Sequence, residues 1–188
     1  MQLKKEITLI RDTPATIIPA GDECIIPAGT IVNISQALGG AVTVRTPDGL
    51  FRIPGKEWDA LGKEIELYLE EKLKKESTKL EPESFSENVV WNALKECFDP
   101  EIPLNIVDLG LVYDLKISEP DASKKVQVNV KMTLTAQGCG MGPIIADDAK
   151  NKIQGIPEVK KAQVDIIWDP PWNPHMISEF GKKELGLT

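Results

Sequence analysis

Thr133-Leu134-Thr135-Ala136-Gln137-Gly138-Cys139-Gly140-Met141-Gly142-Pro143 joins an alternating run to a glycine-rich turn and then to a helical pattern. Upstream, Val126, Val128, Val130, Met132 and Leu134 fall on one side of an extended chain. Gln127, Asn129, Lys131, Thr133 and Thr135 fall on the other, the period of two that marks a half-buried strand. Downstream, Pro143 suits a first helical position, and Ile145, Ala149 and Ile153 recur every four residues. Asp147 and Asp148 fall early and Lys150 and Lys152 late, as a helix dipole prefers, with Gly155 expected to close the helix.

Cys139 therefore stands just ahead of a helix N-terminus, among glycines at 138, 140 and 142 that let the backbone turn and leave the sulfur uncrowded. Free N–H groups and the positive end of the helix favour a thiolate there. The alternative is a small apolar residue packed in a tight strand-to-helix turn.

Working outward, the segment to the next strand contains one helix, so Ala162, Val164, Ile166 and Trp168 are expected on a strand parallel to the central one, with Trp168 in the core. On the other side, Leu111, Tyr113, Leu115 and Ile117 mark a strand that pairs with the central one as an antiparallel hairpin. Before it, Ser84 and Glu87 match a capping box, followed by the apolar stripe Val89, Val90, Ala93, Leu94, Cys97 and Phe98. Asp99-Pro100 ends that helix. After the third strand, Asn173 and Pro174 are expected to open a closing helix through Met176, Ile177, Phe180 and Leu185. Residues 84–188 thus read as an α+β domain, a three-stranded mixed sheet with helices packed on it.

Residues 1–61 differ in texture. Six short β-rich runs separated by Pro and Gly predict a small all-β, barrel-like module, with Thr46-Pro47-Asp48-Gly49 a strong turn and Ile-Pro-Ala-Gly repeated at 18–21 and 26–29. Residues 62–83 read as a charged helical linker, with Ile65, Tyr68, Leu69 and Leu73 on one stripe.

The 188 residues carry a net charge of −7, which argues against a nucleic-acid partner. The amino-terminal residues lack a signal-peptide core and no segment approaches a membrane span, so a cytoplasmic protein is expected. Three cysteines, at 24, 97 and 139, are too few and too far apart for a disulfide framework or a CxxC-type zinc site. Cys24 on a strand and Cys97 in a helical stripe are expected to be packed.

Asp99-Pro100-Glu101-Ile102-Pro103, Asp108-Leu109-Gly110-Leu111-Val112-Tyr113-Asp114, Met132-Thr133-Leu134-Thr135 with Gly138-Cys139, and Trp168-Asp169-Pro170-Pro171-Trp172 occur in that order. Together they resemble the motifs of the SufT branch of the iron–sulfur assembly family that also includes PaaD. The likeness spans about residues 85–188, and residues 1–61 resemble the extension found in SufT proteins. It implies an accessory, non-enzymatic role in maturing iron–sulfur proteins, with scaffold or carrier proteins and apo-clients as partners, and a possible homodimer. It makes Cys139 the contact for iron or a cluster, with Asp99, Glu101 and Asp108 as the acidic motif residues. PaaD-like members carry further C-terminal cysteines, whereas residues 140–188 here have none. Clusters usually take about four thiolates, so the implied contact is transient, with other ligands from a partner, a second protomer or a small thiol.

Each supporting residue also has a plainer reading. Asp99, Glu101 and Asp108 fit ordinary cap and turn chemistry, and Thr133 and Thr135 fit strand propensity as well as a role in orienting the cysteine loop. Trp172 and His175 are assigned to an interaction surface, His175 being equally an isolated surface imidazole. Two other functions stay open: an adaptor in which Cys139 is structural, and a thiol-dependent enzyme in which His175 serves as base.

Overall fold

The computed structural model describes residues 6–77 and 85–187, and the side chains of 75–77 are outside the description. The chain divides into two compact units, Met1–Pro82 and Glu83–Thr188. The expected capping residue Ser84 and the boundary between residues 83 and 84 lie outside the described residues.

The first unit holds six strands, β1 (Glu6–Thr8), β2 (Thr13–Ile18), β3 (Glu23–Ile26), β4 (Ile31–Leu38), β5 (Ala41–Thr46) and β6 (Gly49–Pro54). They form one antiparallel sheet in the order β1-β4-β5-β6-β2-β3. Two-residue hairpins need left-handed backbone at the turn, and β4 meets β5 through Gly39 and Gly40, whose φ values are 62° and 80°. The two Ile-Pro-Ala-Gly copies are two turns that each end on a glycine with φ of 82°.

A 3-10 helix, Gly55–Leu61, then leads into α1 (Lys63–Ser77). α1, whose charges suggest a connector, inserts Ile65 and Leu69 into the core that Ile7, Leu9, Val32, Val42, Val44, Ile53 and Trp58 form over the sheet. One apolar turn of a charged helix is enough to dock it. The amino group of Lys72 adds a hydrogen bond to Ala37 O at 2.6 Å.

The second unit contains α2 (Glu87–Lys95), β7 (Val112–Ile117), β8 (Val126–Met132), α3 (Gly142–Gln154), β9 (Val159–Ile166), a 3-10 helix Pro174–Met176 and α4 (Glu179–Glu184). β8 is the central strand, antiparallel to β7 and parallel to β9. Val126, Val128, Val130 and Met132 are buried while Gln127, Asn129 and Lys131 are exposed, so one sheet face is covered and the other solvated. α3 packs on β9 and presents Ile145, Ala149 and Ile153 to the interior. α2 packs on α3, with Val90, Leu94 and Cys97 fully buried. Lys152 ties the pair by donating to Glu96 O at 2.5 Å and to Asp148 Oδ2 at 2.9 Å.

Several local expectations are corrected. α3 starts at Gly142 with no acidic residue in its first turn, so Asp147 and Asp148 lie mid-helix and Asp148 serves Lys152 instead of the dipole. Gly155 closes α3 with φ of −71°, an ordinary right-handed conformation. β9 ends at Ile166, and Ile167 donates the last rung to Met132 O at 2.8 Å. Trp168 is therefore past the strand and 38% exposed, not in the core. The expected closing helix is broken at Ile177, which is extended, and restarts as α4 with Ser178 as its cap.

Candidate functional site: the carboxyl end of the mixed sheet

In the register of the sheet, Val112 pairs with Met132, and Met132 with Ile166. The segment entering β7 and the segments leaving β8 and β9 consequently meet at one end of the sheet. That end gathers motifs that are well separated in the chain.

The loop leaving β8 carries Cys139, which is partly exposed. Gly138 has φ of 82°, with open space where a Cβ would be, and provides the left-handed turn ahead of the thiol. Cys139 O accepts from Gly142 N at 3.1 Å, which closes the loop onto the first turn of α3. Gly142 is glycine for another reason: a Cβ there would lie 2.4 Å from Leu134 Cδ1. The residues that flank the loop thus meet closely, and Cys139 between them is partly exposed.

Of the other cysteines, Cys97 is buried, and Cys24, partly exposed like Cys139, lies in the first unit. Cys97 is fully buried, and burial pushes its thiol up to about 12. Cys24 is half-buried on β3, in the wall of a groove with Thr16, Ile25 and Lys56, and burial raises its thiol too.

Asp108 and Asp99 are occupied within the protein. Asp108 Oδ2 accepts from Asn105 Nδ2 at 2.6 Å and Oδ1 from Ser178 Oγ at 2.7 Å. Asp99, buried, folds its own loop by accepting from the backbone of Glu101 at 2.8 Å and of Ile102 at 2.9 Å. Glu101 is exposed on that loop. Thr133 is 1% exposed, and its hydroxyl has no hydrogen-bond partner in the protein, while Thr135 is half-exposed at the start of the cysteine loop.

The C-terminal segment is strapped across the loop that enters β7. Trp172 donates from its indole to Leu109 O at 2.8 Å, so this half-buried ring is an anchor as well as part of the surface. His175 is exposed, its backbone N–H capped by Asn173 Oδ1 at 3.0 Å. Tyr113 donates its hydroxyl to Met176 Sδ at 3.4 Å. Among the described residues, no group of three or more His, Cys, Asp or Glu side chains is placed to hold a metal ion.

Comparison with known proteins matches residues 87–166 to the family described as iron–sulfur cluster assembly protein. The Fe–S protein maturation auxiliary factor YitW of Bacillus subtilis is 40% identical over 105 residues, 56% of this chain and 97% of that protein. The chain belongs to the SufT-type iron–sulfur assembly family. A second relative, the Fe–S protein maturation auxiliary factor SufT of Staphylococcus aureus, is 41% identical over 90 residues, covering 48% of this chain and 97% of that protein. A solved structure, a domain of unknown function from Bacillus anthracis, is 35% identical, with a TM-score of 0.47, over 54% of this chain and 92% of that one. These relatives are named auxiliary factors, the accessory description that the motifs led one to expect.

Within this SufT-type unit, three residues bind the motifs together: Gly110 inside one of them, and Ser178 and Gly181 outside them all. Ser178 both caps α4 and grips Asp108. Gly110 has φ of 70°, and a Cβ on it would lie 2.2 Å from Met176 O, so the strap can pass only over glycine. Gly181 is likewise closed in by Leu104 and Ile177. A serine ahead of Glu179 is a capping signal in the sequence, whereas nothing local marks either close approach. Among the described residues no helix is long and apolar enough to cross a membrane.

Proposed function

We propose that this SufT-type protein assists iron–sulfur protein maturation by a transient contact between Cys139 and iron or a cluster in passage to an apo-client. The observation that carries this reading is the setting of Cys139. It is the partly exposed thiol of the family-matched unit, on a loop turned by Gly138, while Cys97 in the same unit is buried.

The chemistry follows from ligand number. One thiolate cannot retain a cluster that is held by about four, so the cargo stays exchangeable, and the remaining ligands come from a scaffold or carrier, a client or a second copy. Asp99 and Asp108 support the site by holding its surrounding loops, since their carboxylates accept hydrogen bonds from the protein itself. His175 is exposed beside Asn173, and the reading gives it no catalytic duty.

Anaerobic reconstitution with iron and sulfide tests the proposal on the wild type and on Cys139→Ser. A visible chromophore that depends on Cys139, together with client activation lost in the variant, is expected. Full client activation by Cys139→Ser would overturn the role.

A second reading, an adaptor, is favoured by one observation: Trp168 is exposed and followed by exposed Pro170 and Pro171, a rigid aromatic surface. It predicts that Trp168→Ala abolishes client activation whereas Cys139→Ser does not.

A further inference from the structure

Trp58 is buried in the core of the first unit, and its indole nitrogen is one of two buried side-chain polar atoms, among the described residues, that lack a hydrogen-bond partner in the protein. Two half-buried indoles have acceptors: Trp91 donates to Glu87 Oε1 at 2.9 Å and Trp172 to Leu109 O at 2.8 Å. Leaving such a donor unmade in a core is costly.

The same ring forms one wall of a small pocket of about 10 Å³, lined also by Ala37, Gly39 and Gly40 of the β4–β5 hairpin and by Leu69 and Lys72 of α1. A single water needs roughly this volume and two to four polar partners. The partners are at hand. Gly40 O lies 2.9 Å from the point where a Cβ on Gly55 would sit, and Trp58 Cε2, the ring carbon bonded to Nε1, lies 3.8 Å from that point. The Gly40 carbonyl, part of the pocket lining, is therefore near the nitrogen-bearing edge of the indole. Lys72 brings its ammonium to Ala37 O at the same wall.

We infer that this pocket is a binding site for one long-lived internal water, which accepts from Trp58 Nε1 and donates to the carbonyls of the β4–β5 turn. The water ties the 3-10 helix, the hairpin tip and α1 into one core. It explains why a tryptophan, and not a phenylalanine, fits this position.

Water-selected NOE and ROE spectra of the full ¹⁵N-labelled chain test the site directly. The Trp58 indole proton is expected to show a dipolar cross-peak to water of the sign that marks residence beyond nanoseconds, and the Trp172 indole proton none. Trp58→Phe is expected to lower the number of long-lived waters, counted by oxygen-17 relaxation dispersion, by one. A Trp58 indole proton with no water cross-peak, or an unchanged count in the variant, would overturn the inference.

Discussion

Ser178 and Asp108, 70 residues apart in sequence, are joined twice: Ser178 Oγ donates to Asp108 Oδ1 at 2.7 Å, and Ser178 N donates to Asp108 O at 2.9 Å. The same hydroxyl accepts from Gly181 N at 3.0 Å and so starts α4. Helix start and loop closure therefore depend on one oxygen. Ser178→Ala is expected to cost about 1–2 kcal/mol, the range for a lost cap plus a bond to a charged group. Asp108→Ala also strips Asn105 of its partner and should cost about 2–4 kcal/mol. Urea unfolding of the two single variants and the double variant checks this, with a coupling of about 1–2 kcal/mol expected because the residues share the bond.

Gly110 and Gly138 both have positive φ, yet substitution at the two should differ. At Gly138 an added Cβ meets open space, so Gly138→Ala carries only the left-handed penalty of about 1–2 kcal/mol. At Gly110 the Cβ would collide with Met176 O and Met176 C, so Gly110→Ala is expected to lose more than about 3 kcal/mol and to release the C-terminal strap. Limited proteolysis after residue 168 reads the release, and equal stability of the two variants would contradict it.

The contrast explains what the sequence could and could not show. The alternation from Val126 to Met132, the turn at Thr46–Gly49 and the six β-rich runs are local patterns, and each corresponds to an observed element. Contacts between remote segments leave no period behind. The Ser178–Asp108 latch and the passage of Met176 over Gly110 are of that kind, whereas the stripe of Ile65 and Leu69 is legible and only the sheet core it docks into is not. Trp168 misleads because phase with Ile166 has meaning only while the strand continues, and β9 stops two residues earlier. At the candidate site, the glycines around Cys139 mark a turn, but only the structure tells the left-handed, open Gly138 from the close-packed Gly142.

The buried thiol of Cys97 makes a prediction about alkaline stability. Burial raises its folded value to about 12 from an ordinary 9.0. Below the unfolded value both states keep the proton and the thiol has no effect on the pH dependence. Between the two values the unfolded chain releases its proton while the folded one retains it, so stability falls as pH rises, by at most about 1.4 kcal/mol per pH unit from this group. Cys97→Ala should lower stability at neutral pH by opening a small cavity, yet remove this slope. Urea melts at several pH values from 8 upward distinguish the two effects, because a slope unchanged by the substitution would assign the alkaline loss to other groups.

Access separates Cys139 from Cys97 in a way that bears on function. In the native protein, Cys139 should react with a thiol reagent at least tenfold faster than Cys97, which is fully buried and should react only through unfolding. Cys24, half-buried in its groove, should fall between them. Mass spectrometry of quenched reactions gives the order. The functional consequence follows if Cys139 is the contact for cargo: alkylation at that site alone should stop client activation, while Trp168→Ala slows it only by weakening docking. Because Trp168 lies outside the core, its replacement should leave the unfolding midpoint nearly unchanged, so any loss of activation reports on the surface and not on the fold. An alkylated Cys139 that still supports activation, beside a Trp168→Ala variant that does not, would move the chemistry from the thiol to the aromatic edge.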